Sequence, residues 1–351
     1  GGGGGWFGGR GDKSSVNTTE VAGTIESSAC AMTMSLTAAT VHLEVYYNKA
    51  ITYSLMATAV SFVQILLVIK QMEATATQAA SARVSLITIG GQAIMDSYLC
   101  LAHLTAGVVM EAVFSSLATA AFFKFVMFSI FEMRYLLTIW KARRPDTNEG
   151  WIAMRRELSI LYSRFYGALV GGIFLMYHTQ DYAKYLVLLF YSFWLPQIVY
   201  NIRHDCRRPL LPQYIVGISV SRLLIPLYIF LCPKNLLRLE PEPKLAGALV
   251  AWVSLQAALL LLQHRWGAHC FIPKRLLPEK YDYFRPLEPR HLEAAGADEE
   301  GGGAIDCVIC MVEVEGGGMI TPCDHVFHTP CLMRWMDVKM ECPTCRRALP
   351  P

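Results

Sequence analysis

Eight residues near the C-terminus have the types and spacing of metal ligands: Cys307-x2-Cys310, then Cys323-x-His325-x2-His328-x2-Cys331, then Cys342-x2-Cys345. Thiolate and imidazole donors suit zinc, which takes four of them in a tetrahedron. Eight donors make two complete sets, so two Zn2+ ions are expected. Neither set leaves a position for water or substrate, and both ions are expected to be structural. Spacing alone does not say which donors share an ion. The segment has only about 45 residues, too few to hold a fold by apolar burial alone. Metal binding is therefore expected to supply the folding energy, with the metal-free segment unfolded. The remaining cysteines (Cys30, Cys100, Cys206, Cys232 and Cys270) are scattered. That placement argues against a secreted disulfide scaffold and puts the cluster in a reducing compartment.

The rest of the chain must carry this cluster, and it reads as membrane. Of 351 residues 54% are hydrophobic and only 17% charged, where a soluble domain has about a quarter. The net charge of +3 is too small to argue for a nucleic-acid partner. Seven apolar runs approach the length of about 20 residues that a spanning helix needs. They lie at 51–69, within 84–109, at 112–131, about 165–179, 185–202, within 210–232 and 245–263. The fold expected is a polytopic all-α membrane protein of about seven transmembrane helices with a small C-terminal two-zinc domain. Four regions follow: an N-terminal segment 1–49, a transmembrane domain 50–264, a Pro/Gly/acidic linker 265–304 and the zinc domain 305–351.

Lys and Arg collect on the cytosolic side of membrane proteins. Here they cluster after span three (Lys141, Arg143, Arg144, Arg155, Arg156), after span five (Arg203, Arg207, Arg208) and after span seven (Arg265, Lys274, Arg275). This bias puts the C-terminus in the cytosol and, with an odd number of spans, the N-terminus in the lumen. There Asn17, in the sequon Asn17-Thr18-Thr19, is a glycosylation candidate. The chain starts at Gly1 in low-complexity sequence, read as a truncated ectodomain, and the Arg10-Gly11-Asp12 triplet beside a glycine run is read as chance.

Ionisable residues inside spans are costly and usually pair within a bundle. Asp96 and His103 are seven residues apart, on one face of span two, and Arg222 lies near the middle of span six. These three are expected to form a polar cluster, one that could sense polar residues in client helices. Lys124 and Glu132 are read as snorkelling or boundary residues. The segment Trp151–Phe165 is read either as a helix lying on the bilayer surface or as an extension of span four.

The ligand order Cys-Cys-Cys-His-His-Cys-Cys-Cys resembles the RING-H2 finger of E3 ubiquitin ligases. A PHD finger is disfavoured, since its tryptophan sits just before the seventh ligand, whereas here Trp335 lies upstream. The RING resemblance implies an interleaved cross-brace, with Cys307, Cys310, His328 and Cys331 on one ion and Cys323, His325, Cys342 and Cys345 on the other. It implies that Ile309, Trp335 and Pro343 dock a ubiquitin-conjugating enzyme (E2). It also implies that Arg346 is the catalytic "linchpin" clamping ubiquitin against the E2. Thr329 is read as the N-cap of a short helix in "TPCLMRWMD", with Pro330 in its first turn. No cysteine outside the zinc set has a catalytic context, so no covalent ubiquitin–ligase intermediate is expected.

From about residue 24 the chain is similar to the Golgi and endosomal transmembrane RING ligases of the Dsc/Tul type and the plant flying-saucer proteins. The carrying stretches are "YNKAITYSLMATAVSFVQILLVIKQM", "YSFWLPQIVYNIRHDCRRPLLPQYIVGISVSRLLIPLYIF" and "FIPKRLLPEKYDYFRP". The likeness implies an E3 ubiquitin-protein ligase of the endomembrane system, with E2, ubiquitin, membrane-protein clients and other complex subunits as partners. The rival is a non-enzymatic transporter or receptor whose zinc finger only binds partners, because Trp194–Ile202 also resembles the Pro-Gln motif of PQ-loop transporters. A seven-helix receptor would leave the zinc cluster without a role.

Overall fold

The computed structural model describes residues 20–27, 32–39, 43–143, 151–179, 183–233, 235–237, 239–270, 281–285, 306–314 and 318–350. The Asn17 sequon and most of the expected linker lie outside them. The N-terminal segment, read only as polar and mixed, contains an antiparallel hairpin of β1 (Glu20–Ser27) and β2 (Met32–Ala39).

The first long helix, α1 (Leu43–Ala74), is oriented by its polar residues. Ser54, Ser61, Gln64 and Gln71 are buried, while Leu55, Phe62 and Leu66 are exposed. A helix that turns polar groups inward and leucines outward is built for lipid, where the apolar face needs no cover and amides are held by other helices. A short α2 (Gln78–Ala82) follows, capped by the Thr77 side chain, and then α3 (Leu86–Val109). The next span is composite: a 3-10 turn at Glu111–Val113, α4 (Phe114–Val126), a π-helical turn at Met127–Glu132, and α5 (Met133–Ala142).

Beyond it come α6 (Trp151–His178), α7 (Ala183–Phe190), α8 (Leu195–His204), α9 (Pro212–Leu231) and α10 (Pro243–Trp266). The helix α6 is continuous from Trp151, so this segment extends span four. The fifth span is interrupted by a turn before Leu195, and Pro196 opens α8, where its missing N–H costs nothing.

Among the described residues six helical stretches are long and apolar enough to cross a membrane, against the seven expected. The one that falls short is α3. Its 24 residues are long enough, but Gln92, Asp96, Ser97 and His103 dilute its apolarity. It packs on α4, and α1 packs on both α4 and α9, with α10 against α9. The α6 span stands at the periphery, with only 6% of its apolar window buried, so most of it faces outward.

The C-terminal module consists of two short hairpins, β3 (Asp306–Cys307) with β4 (Val312–Glu313) and β5 (Met319–Ile320) with β6 (Val326–Phe327), followed by α11 (Thr329–Val338). The helix starts at its expected cap, one residue earlier than the sequence suggests. His328 is the N-cap and accepts the first helical bond from Leu332 N at 3.0 Å, so Thr329 is already helical and caps nothing.

Candidate metal centre

Two knuckles of identical backbone design hold four of the donors. In the first, the N–H groups of Cys310 and Met311 both donate to Cys307 O, at 3.2 and 2.7 Å. In the second, Arg346 N donates to Cys342 O at 2.9 Å. Met311 and Arg346 occupy the same place in their knuckles, and both are left-handed, with φ of 57°. Non-glycine residues adopt that conformation only where surrounding bonds over-determine it. Here the bond back to the first cysteine of each pair does so.

The structure sorts the eight donors into two groups, Cys307, Cys310, His328 and Cys331, and Cys323, His325, Cys342 and Cys345. Within each group all ligand atoms lie within 4.8 Å of one another. A zinc tetrahedron with bonds of about 2.3 Å has edges of about 3.8 Å, so both groups fit the ion. Cys310 Sγ is 3.2 Å from His328 Nδ1, and Cys323 Sγ is 3.4 Å from His325 Nδ1. His328 Nε2 lies 2.9 Å from Glu313 O. A carbonyl there requires a proton on Nε2 and leaves the Nδ1 lone pair for metal, and such a hydrogen bond orients a ligating histidine. These are the two interleaved sets that the RING-H2 resemblance implies.

Residues before the expected boundary at 305 also pack on the module. Residues 281–285, assigned to the linker, are a strap on its surface. Ile320 N donates to Tyr283 O at 2.8 Å, Tyr281 OH donates to Ile320 O at 3.1 Å, and Tyr283 OH donates to Pro350 O at 2.5 Å. The Tyr283 ring joins the core with Met319, Phe327, Leu332 and Leu349. Burial, reinforced by neighbouring Tyr281 and Cys323, pushes its phenol up to about 12, which keeps the donor protonated. Arg285 faces Asp324, beside ligand Cys323, at 3.7 Å. In the sequence this strap lies in a Pro-rich stretch read as linker, although the same stretch carries part of the family resemblance.

Ile309 lies inside the first knuckle, half-buried against the core. Trp335 on α11 is half-buried, its indole donating to Glu341 O at 2.7 Å, which fixes the ring plane. Pro343, inside the second knuckle, is also half-buried, and Arg346 is exposed.

Within the bundle Asp96 and Arg222 meet, but the cluster is larger than expected. Asp96 Oδ2 accepts from Arg222 Nη2 at 2.6 Å and Oδ1 from Lys124 Nζ at 2.7 Å. The same Nη2 reaches Glu132 Oε1 at 3.2 Å, and Lys124 also donates to Gln64 Oε1 at 2.8 Å. Lys124 and Glu132 are each 1% exposed, so neither snorkels. The π turn explains the error. Eight residues along a regular helix leave two side chains roughly 80° apart. The residue that a π turn absorbs rotates Glu132 back toward the Lys124 side. His103 belongs elsewhere: it stacks on Tyr53 at 5.5 Å, with Nε2 2.8 Å from the phenol oxygen.

A helical membrane domain joined to a two-metal cross-brace of Cys and His defines a polytopic membrane protein with a RING-type zinc finger. The chain belongs to the transmembrane E3 ligase/DUF2921 transmembrane domain family, which it matches over residues 42–276. Residues 305–346 match the Ring finger domain. It is 57% identical over 328 residues to the transmembrane E3 ubiquitin-protein ligase FLY2 of Arabidopsis thaliana, covering 92% of this chain and 57% of that protein. It is 28% identical over 381 residues to DSC E3 ubiquitin ligase complex subunit 1 of Schizosaccharomyces pombe, covering 86% of this chain and 54% of that one. The chain thus spans just over half the length of these relatives. The zinc module alone is 37% identical over 54 residues to the E3 ubiquitin-protein ligase RNF181 of Xenopus laevis, 15% of this chain and 35% of that protein. No solved structure matches the chain.

Proposed function

We propose that this chain is a membrane-embedded RING-type E3 ubiquitin ligase that binds a ubiquitin-charged E2 on the cytosolic face and directs ubiquitin to lysines of membrane-protein clients. One observation carries the reading: two closed four-donor sets frame the exposed Arg346 on a chain of the transmembrane E3 ligase family. Zinc bound to four protein donors supplies folding energy and no reactive position. The catalytic role falls instead to side chains on the zinc loops.

Ile309, Trp335 and Pro343 are the E2-docking residues, half-buried and therefore already ordered before a partner arrives. Arg346 has a guanidinium that can donate to ubiquitin and to the E2 together. Its left-handed backbone, tied to Cys342 O, presents that side chain from a fixed base. Catalysis is then positioning of the thioester for attack.

With α3 counted among the spans, the Lys and Arg bias supports a cytosolic C-terminus and a lumenal N-terminus, with Asn17 open to glycosylation. The likeness to a named DSC complex subunit supports work within a multi-subunit assembly, and Golgi or endosomal membranes with a role in quality control or sorting complete the proposal.

The test is ubiquitin transfer by the purified full chain in lipid discs against a panel of E2 enzymes, with zinc content measured alongside. Ile309→Ala and Arg346→Ala are each expected to lower transfer at least tenfold with zinc unchanged, about 1.4 kcal/mol of transition-state positioning or more. No transfer by zinc-loaded wild type with any E2 would reduce the module to a binding unit.

A further inference from the structure

The Pro-Gln motif has a structural role in this fold. Gln197 is fully buried and its amide is used at both ends. Oε1 accepts from Ser85 N at 2.7 Å, while Nε2 donates to Arg83 O at 3.2 Å and to Asn201 Oδ1 at 2.7 Å. One turn along α8, Tyr200 OH donates to Ala82 O at 2.9 Å. Arg143, its guanidinium 4.4 Å from the centre of the Tyr200 ring, donates to Val84 O at 2.5 Å. Three consecutive carbonyls, of Ala82, Arg83 and Val84, are thus each held by a side chain from another helix. A turn pinned in this way makes α2 and Arg83 a rigid platform at the cytosolic ends of the helices.

The zinc module rests on this platform. Helix α11 packs on α2, Thr77 Oγ1 donates to Asp337 O at 3.3 Å, and Arg83 faces the Asp337 carboxylate at 3.8 Å. Between the two bodies lies a cleft of about 930 Å³, walled by Arg143 and Arg207 on one side and Met333, Met336 and Met340 on the other. Ile309, Trp335 and Pro343 lie outside it, so the proposed E2 face stays open while the module is seated. Exposed Arg346 sits at the cleft.

We infer that the platform built by Gln197, Tyr200 and Arg143 seats the zinc module in one orientation through Arg83–Asp337, so that ubiquitin is delivered to lysines next to the bilayer. Gln197 and Arg83 are positioning residues that act through α2. The inference rests on the ligase reading above. A flexibly tethered module would sample near and distant lysines according to tether length alone, whereas a seated one raises the effective concentration of the near ones.

The experiment uses the full chain in lipid discs with a charged E2 and two single-span clients. One client carries its lysine beside the membrane and the other carries it at the end of a long Gly/Ser segment. Discharge of the E2 onto free lysine is the parallel readout. The wild type is expected to prefer the near lysine by about tenfold. Arg83→Asp sets two carboxylates face to face and is expected to bring the ratio to within about twofold, leaving free-lysine discharge unchanged. Both partners are solvent-accessible, at 34% and 77%, so the fold tolerates the change. The swap Arg83→Asp/Asp337→Arg restores the preference, and Gln197→Ala reproduces its loss with no change of charge.

An unchanged ratio in Arg83→Asp and Gln197→Ala, with discharge intact, would overturn the inference. Faster free-lysine discharge in Arg83→Asp would overturn it too, by marking the contact as a brake. No discharge from the wild type would overturn the ligase reading and this inference with it.

Discussion

The membrane bundle and the zinc module both gather strongly polar groups, and they satisfy them in opposite ways. In the bundle two cations, Lys124 and Arg222, and two carboxylates, Asp96 and Glu132, neutralise one another across α3, α4, the π turn and α9. In the zinc module three thiols and one imidazole converge at each site, a donor set that an added ion completes. The difference follows from size. Hydrocarbon and long helices let a bundle pair its own charges, with Arg222 Nε and Nη1 and Glu132 Oε2 left without a hydrogen-bond partner among the described residues, whereas a short module lacks the apolar surface to hold such a network. The bundle should then stand without metal, and the module should not.

Chelation, or Cys342→Ser, is the strongest way to separate them. Structural zinc is worth about 10–16 kcal/mol in small domains. The module is expected to unfold, with protease cleavage within 306–350 and loss of transfer, while helical content and thermal melting of the bundle stay as they were. A bundle that melts earlier would show that the two units fold together.

Asp96→Ala strikes the other side. It strands two buried cations, and breaking such a pair costs about 3–5 kcal/mol. Thermal unfolding in detergent should drop clearly, with zinc content intact. A negligible drop would mean that the network is not what holds α3 against α9.

Tyr283→Ala probes the boundary of the module. Removing a buried aromatic costs about 3 kcal/mol, so zinc should pass to a chelator faster, with bundle melting unaffected. An unchanged rate would return residues 281–285 to the linker. The smallest effect belongs to Lys339→Ala. Its partner Glu341 is 3.4 Å away, but Lys339 is 39% exposed, and such pairs contribute about 0–1 kcal/mol. Module melting should shift little.

Much of this division could be read directly in the chain. Ligand identity is written in spacings of two or three residues, and the spans in runs of apolar residues, because both are local. Other parts of the reading failed where a local rule met a distant partner. Lys124 and Glu132 read as snorkelling or boundary residues, and the π turn lets both reach the Asp96–Arg222 pair. Asp96 and His103 share a helix face by period, yet His103 pairs with Tyr53, fifty positions upstream in the chain. Thr329 has the chemistry of a cap, but His328 takes the position.

The sequence by itself determined the class of the protein: eight donors for two ions, an apolar chain that must sit in lipid, and Lys and Arg collected between alternate spans. Each of these is a property of composition or short spacing, and survives any arrangement of the helices. Only the tertiary structure decided which four donors share each ion, that Tyr281 and Tyr283 complete the zinc module, and that Gln197 pins the turn carrying Arg83. Those outcomes depend on groups tens to hundreds of residues apart arriving at hydrogen-bond distance. Chain order does not specify such meetings until packing has satisfied every buried polar group that it can.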